Sequence, residues 1–363
     1  MRAGVIDIGS SSIKLLIGES HGEDVKVVES LKNFIPLGRH AFLKGRIPQT
    51  IINQTAAVLQ KYNETLKAYD VTDVAVIATT AVREARNRDI FLDTVLRKTG
   101  FKIDVLTPGD VVYYIDYFLS HKLKKTYPVR EKNLLIAELG AGSLDISIMS
   151  KGLTLMNVGF PIGTLRLSQF METLDGSLQE VHEATAEYIE NEILFLKKSN
   201  PDLVIDDVIL IDENYSVHIQ NVLPNKRRDS DFFKFKSGEA QEFLSRLRQM
   251  NPQEIARTYG IPDDIAGTIF GFAIILNTLF KFSGHEHVYI LEASLSESIL
   301  ANLLFKFESL ESTSKIDQLV AMAHFLCKKW GMDLAHLKHV AGMAEKLFDS
   351  FKGILGLEDK DRL

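Results

Sequence analysis

Two segments of this chain place a carboxylate two residues ahead of a glycine and a turn of small polar residues. In residues 5–17 an apolar run holds Asp7, then come Gly9, Ser10, Ser11 and Ser12, then a second apolar run carries Lys14. Residues 135–148 repeat that order, with Glu138 in the place of Asp7, Gly140 in that of Gly9 and Gly142-Ser143 in the turn, each 131 positions on. Glycine lets the backbone approach an anion closely, and successive N–H groups and hydroxyls at such a tip can donate to phosphate oxygens. The carboxylate before the turn can hold a divalent cation against the same phosphates. One such hairpin is an ordinary tight turn, where Gly and Ser are common. Two in a single register predict a clamp for a phosphoanhydride, with Asp7 and Glu138 toward the metal.

The elements that must position these tips follow from periodicity. Helical patterns over 48–69 and 89–98 alternate with strand patterns over 74–78 and 102–106. The second half repeats the theme, with helices over 177–198, 240–247 and 265–282 and strands over 208–211 and 287–291. Strands alternating with helices indicate an α/β domain with a mixed sheet, and a repeat this long indicates two related domains. We expect domains at 1–125 and 126–304 and a helical extension over 305–363. The chain has 363 residues, 45% hydrophobic and 25% charged, enough for a sizeable core. A net charge of −6 argues against general coating of nucleic acid, and a single cysteine, Cys327, excludes a disulfide framework and suits the cytoplasm. No segment reads as a membrane span; the apolar stretch 266–280 reads as a buried helix.

The stretches 6–16, 105–108, 138–143, 161–167 and 251–262, and above all Ala78-Thr79-Thr80-Ala81-Val82-Arg83-Glu84-Ala85-Arg86-Asn87, resemble the exopolyphosphatase / guanosine pentaphosphate phosphohydrolase (Ppx/GppA) family. The resemblance extends to about residue 304 and implies duplicated actin-like (ribonuclease H-like) domains around a central cleft. It also implies that Gly9, Ser10, Ser11 and Ser12 bind phosphate, joined by Arg83, whose guanidinium can grip a phosphate with two parallel donors. An ion pair of Arg83 with Glu84 or Asp89 is the plainer alternative. Lys14 stands where the family often has Arg and keeps the charge. Mg²⁺, a polyphosphate or guanosine polyphosphate ligand and a homodimer are further implications.

Departures from the family pattern bear on catalysis. The resemblance puts the general base on Val111, which cannot accept a proton. Asp110, one place earlier, is the nearest carboxylate and the candidate catalytic residue, but one place turns a side chain by about 100° on a helix. The second turn has Ala141 where glycine is usual, and Leu144 removes a hydroxyl. Asp212-Glu213-Asn214-Tyr215 replaces a glycine loop and adds carboxylates that repel a polyanion. Residues 294–298 lack the family's Arg.

The segment 334–351 resembles the opening helix of an HD-type metal domain, with His336 as its first ligand. No His-Asp pair follows, so an amphipathic tail with Leu337, Val340, Ala344 and Leu347 on one face is expected. Lys226, Arg227, Arg228, Lys234 and Lys236, interleaved with Phe232, Phe233 and Phe235, suggest a solvated loop or a polyanion track. The resemblance as a whole points to a phosphohydrolase-like protein that binds, and in the intact family hydrolyses, terminal phosphoanhydrides. The alternatives are a non-catalytic sensor of the same ligands and, further off, a kinase or ATPase of the same fold.

Overall fold

The apolar runs that flank the two turns become hydrogen-bonded hairpins. A computed structural model describes residues 2–123, 126–200, 203–224, 226, 228, 232–306 and 315–357. In the first half β1 (Arg2–Ile8), β2 (Ser12–His21) and β3 (Asp24–Phe34) form an antiparallel meander. Helices α1 (Leu37–Lys44) and α2 (Gln49–Ala68) return the chain to β4 (Asp73–Ala78), parallel to β1. Helices α3 (Thr80–Glu84) and α4 (Arg88–Thr99) precede β5 (Asp104–Val105), and α5 (Pro108–Lys122) then leaves the sheet. The order is β3-β2-β1-β4-β5.

The second half begins with a matching meander, β6 (Asn133–Leu139), β7 (Leu144–Ser150) and β8 (Leu153–Phe160). Helices α6 (Thr164–Glu172) and α7 (Leu178–Ser199) lead to β9 (Asp207–Asp212), parallel to β6. There follow α8 (Ile219–Val222), β10 (Phe232–Lys236), α9 (Ser237–Arg248), α10 (Pro252–Tyr259), α11 (Asp263–Ala266), α12 (Ile269–Ser283), β11 (His287–Glu292) and α13 (Leu295–Phe305). The sheet runs β10-β11-β9-β6-β7-β8. Without its extra edge strand β10, that is the succession of the first sheet. The repeat holds to single hydrogen bonds: Gly9 N–H donates to the Ser12 carbonyl at 3.0 Å, and Gly140 N–H to that of Ser143 at 2.9 Å. Asp7 lies opposite Lys14 across one hairpin, and Glu138 opposite Asp145 across the other.

β1 and β6 are apolar on both faces because helices cover both sides of each sheet. Between the two sheets, α5 and α13 share one core with strands of both halves, through Ile115, Leu119, Ile136, Ile209, Ile299 and Leu300. Thus α13, grouped by sequence with the second repeat, packs on α5, β1 and β2 of the first. The helix expected over 265–282 is broken. Gly267 is a poor helix residue, and the Thr268 hydroxyl bonds back to the Asp264 carbonyl at 3.0 Å, which separates α11 from the buried α12. The strand expected over 102–106 shortens to Asp104–Val105, since Thr107 already caps α5. β3 escapes periodicity because, along most of its length, neither face is buried.

Beyond α13, α14 (Lys315–Lys329) lies along β8, and α15 (Leu334–Leu355) carries no buried residue. The expected amphipathic face of α15 is present, with Val340 and Leu347 exposed. No helix among the described residues is long and apolar enough to cross a membrane.

Candidate functional site

Each turn is fastened from behind, which aims its N–H groups forward. The carbonyls of Gly140 and Ala141 accept the first N–H groups of α6, from Thr164 at 3.1 Å and Leu165 at 3.0 Å. The Gly142 carbonyl accepts Arg166 Nε at 2.7 Å. In a trans peptide the next N–H points opposite to the carbonyl, so those of Ala141, Gly142 and Ser143 face away from α6. On that side lies a cleft that residues 140–143 line and α6 does not. The close approach depends on Gly163, where an added Cβ would lie 2.4 Å from backbone atoms of Gly142 and Ser143. The first turn is held likewise: Gly38 N–H donates to the Ser10 carbonyl at 2.7 Å and Ile35 N–H to that of Ser11 at 3.1 Å. Such runs of like-directed N–H groups form concavities that bind anions.

The two tips meet. A Cβ on Gly142 would come within 2.7 Å of Ser10 Oγ and 2.9 Å of Thr80 and Phe42. The Thr80 and Ser143 hydroxyls are hydrogen-bonded at 3.1 Å. Gly9, Ser10, Ser11, Ser12, Gly140, Gly142 and Ser143 therefore border one cleft, together with Asp7, Lys14, Arg83 and Glu138. Its volume is about 100 Å³. Arg83 reaches it from α3, anchored by Nη1 on the Leu106 carbonyl at 2.8 Å and Nη2 on Thr80 Oγ1 at 3.2 Å. Its plainer alternatives are taken, since Glu84 pairs with Arg166 and Asp89 with Arg88.

Charge in the cleft is unbalanced. Asp7 is buried; its Oδ2 accepts Ser296 Oγ at 3.0 Å, and its Oδ1 has no hydrogen-bond partner among the described residues. Burial pushes the Asp7 carboxyl up, against the pull of Lys14. Glu138 is pushed up by burial and then by Asp145, Asp7 and Glu213. Asp145 is raised by burial, opposed by the hydrogen bond from Ser143, 2.9 Å away, and by Arg83. Like charges directly across a strand pair repel. Four carboxylates thus confront Lys14 and Arg83. Lys14 is itself desolvated, yet Glu213 and Asp7 hold its ammonium above the usual range.

Hard oxygen donors with a deficit of positive charge suit a divalent cation. No group of three or more His, Cys, Asp or Glu among the described residues could hold a metal ion. Mg²⁺ needs fewer: one or two carboxylates, with waters and substrate phosphates completing its shell. The unpartnered Asp7 Oδ1 and the neighbouring Glu138 fit that requirement.

Asp110 sits elsewhere. Its Oδ2 accepts Thr107 N–H at 3.0 Å and Thr107 Oγ1 at 2.7 Å, while its own N–H donates to Thr107 Oγ1, a reciprocal cap on α5. Val111, the next residue, borders the cleft and Asp110 does not. The basic cluster is only in part a loop: Lys226 and Arg228 lie outside any helix or strand, whereas Lys234 and Lys236 belong to the edge strand β10. Phe232, Phe233 and Phe235 of β10 are buried, Lys226 pairs with Glu239 at 2.7 Å and Arg228 with Glu292 at 2.7 Å; Arg227 lies outside the described residues. Sequence reasoning marked Glu213 as a carboxylate that repels a polyanion, and missed the site roles of Asp145, Thr80 and Ser296. The repeat could have found Asp145, which stands 131 residues after Lys14. Ser296 contacts Asp7 only because α13 crosses to the first sheet.

A family model described as the Ppx/GppA phosphatase family matches residues 16–307. The bifunctional 3-dehydroquinate synthase/phosphatase of Fusobacterium nucleatum is 22% identical over 316 residues, covering 79% of this chain and 44% of that protein. Exopolyphosphatase 1 of Mycobacterium tuberculosis is 25% identical over 170 residues, 47% of this chain and 48% of its own length. The matches thus span less than half of these two curated relatives. Among solved structures, the Aquifex aeolicus member of the Ppx/GppA family superposes with a TM-score of 0.70 at 21% identity, over 84% of this chain and 98% of that one. An exopolyphosphatase from Cytophaga hutchinsonii gives 0.71 at 18% identity, with coverage of 84% and 98%. These superpositions establish the two-domain actin-like fold.

Proposed function

The chain belongs to the Ppx/GppA phosphatase family, and from that premise we propose that its cleft binds the terminal phosphoanhydride of inorganic polyphosphate or of a guanosine penta- or tetraphosphate, in a cytoplasmic setting. The observation that carries this reading is the convergence of two backbone anion sites and the Arg83 guanidinium on one cleft. A volume of about 100 Å³ is small beside the ~300–1,000 Å³ of sites that enclose whole drug-sized ligands, which supports a site for phosphate groups.

Asp7 and Glu138 would hold Mg²⁺, which when bound neutralises charge on the phosphate oxygens. The Ala141, Gly142 and Ser143 N–H groups and the hydroxyls of Ser10 and Ser12 orient the terminal phosphate, and Arg83 grips it. Hydrolysis also needs a group that takes a proton from the attacking water. Asp110 is committed to capping α5. The geometry offers Asp145 instead: it is buried at the cleft, its Oδ1 has no partner among the described residues, and its raised pKa favours proton uptake. A second reading, a binding protein that senses the same ligand, is favoured by the apolar Val111 at the cleft wall.

Phosphate release from polyphosphate or guanosine pentaphosphate in Mg²⁺ tests the first reading. We expect Asp145→Asn to lower release by about 10²-fold or more, the scale of a lost general base, and Asp110→Asn to leave it nearly unchanged. Binding that depends on Arg83 without release makes the protein a sensor. No binding at all refutes both.

A further inference from the structure

One side of the cleft is closed by the turn 212–215, whose second and third residues hold two lysines of the first domain. Glu213 Oε2 is bonded to Lys14 Nζ, and Lys32 Nζ donates to Asn214 Oδ1 at 3.3 Å. The lysines face each other across β2 and β3, and Lys14 faces Asp7 across β1 and β2, so the three side chains form one row on the cleft side of the sheet. The turn that presents Glu213 is stiff. Buried Asp212 accepts the N–H groups of Asn214 at 3.2 Å, Tyr215 at 2.8 Å and Ser216 at 2.5 Å, and the Tyr215 ring stacks on Phe272. Glu213 and Asn214 both border the cleft, with Gly9 and Gly140.

We propose that Glu213 is a built-in competitor for ligand phosphate: its carboxylate occupies the seat on Lys14 that a phosphate group would take, so it sets how tightly the cleft retains a phosphoanhydride chain. This rests on the reading of the cleft as a phosphate site. A carboxylate offers the ammonium the same kind of oxygen acceptor as a phosphate, and the two cannot share it at hydrogen-bond distance without repelling each other. Displacing Glu213 exposes Lys14 beside Lys32. Burial and then the charge of Lys14 hold Lys32 below the usual lysine range. A ligand with one phosphate engages only the hairpin tips and Arg83. A chain of several reaches the lysines and competes with Glu213.

The test is calorimetric titration of tripolyphosphate into the intact chain, the isosteric Glu213→Gln, Lys14→Met, the double variant and Arg83→Ala. Releasing a partly exposed ion pair should tighten tripolyphosphate binding by about two- to fivefold in Glu213→Gln. Lys14→Met alone should weaken binding, because a chain that reaches the lysines loses one of its cations, and it should abolish the gain in the double variant, a coupling that such a cycle isolates. A gain that survives Lys14→Met would reflect only the cleft's overall negative field and would overturn the proposal, as would an affinity unchanged in Glu213→Gln. Those outcomes, with Arg83-dependent binding intact, leave the phosphate cleft standing. If no form of the chain binds tripolyphosphate, the cleft reading itself falls.

Discussion

At the scale of single residues, the site is made by glycines that let backbones touch and by carboxylates forced together. Gly142 needs no unusual dihedral; it needs the absence of a side chain, because the other tip occupies that space. Gly142→Ala should wedge Ser10 and Thr80 away from the second turn. We expect it to cost about 1–3 kcal/mol, the usual penalty for overpacking, and to weaken tripolyphosphate binding out of proportion to that loss. Denaturant melts beside calorimetry separate the two effects; wild-type binding in the variant would show that the tips need not touch. That the hairpin tips border one cleft was legible in the residues themselves, since their types and spacing repeat in a single register, and the family resemblance added Arg83. The repeat marks the position of Asp145, but that it faces Glu138 across a strand pair follows only from the register of the folded hairpin.

At the scale of elements, α5 links the cleft to the core. Its cap, Thr107 with Asp110, sets the helix start and so turns Val111 toward the cleft. One turn further on, Asp116 is buried against the second meander, accepting Thr154 Oγ1 of β8 at 2.5 Å and Ser147 Oγ of β7 at 3.4 Å. Burial pushes its carboxyl from the usual 3.8 up to about 7, although both hydroxyls favour the charged form. A raised acid binds its proton more tightly in the folded state. Its stabilising effect is therefore complete below about pH 4 and is lost as pH rises to about 7. Asp116→Asn should remove that slope and gain up to ~4 kcal/mol relative to wild type above pH 7, from a shift of about three pKa units. Urea melts at pH 5 and pH 8 measure it; equal differences at both would mean that Asp116 does not titrate there. Periodicity found α2, α4 and α7 because each buries one face. It missed the division between α11 and α12, where a glycine and a side-chain hydrogen bond outweigh the apolar run.

At the scale of the whole molecule, two homologous sheets share the core built by α5 and α13, and polar clasps close the cleft between them. Arg166 carries one such clasp: it donates to the Gly142 carbonyl, pairs with Glu84 and lies 3.7 Å from the Phe42 ring centroid. Arg166→Ala should cost about 1–3 kcal/mol, since it leaves a partly buried carbonyl and a carboxylate without their donor, and should open the cleft. Small-angle scattering with and without tripolyphosphate reads the opening; an unchanged radius of gyration in both states would mean that the shared core alone sets the closure. The residues alone determined the duplication, the α/β class, the family resemblance and the positions of the two glycine-bearing turns, because apolar periodicity and turn chemistry are local and written in order. Only the tertiary structure decided that Asp145 and Glu213 join Asp7 and Glu138 at the cleft, that Asp110 caps a helix, that Ser296 meets Asp7 and that Glu213 seizes Lys14. Those pairings join residues tens to hundreds of positions apart, and their energies depend on distance, burial and register, which no local pattern records.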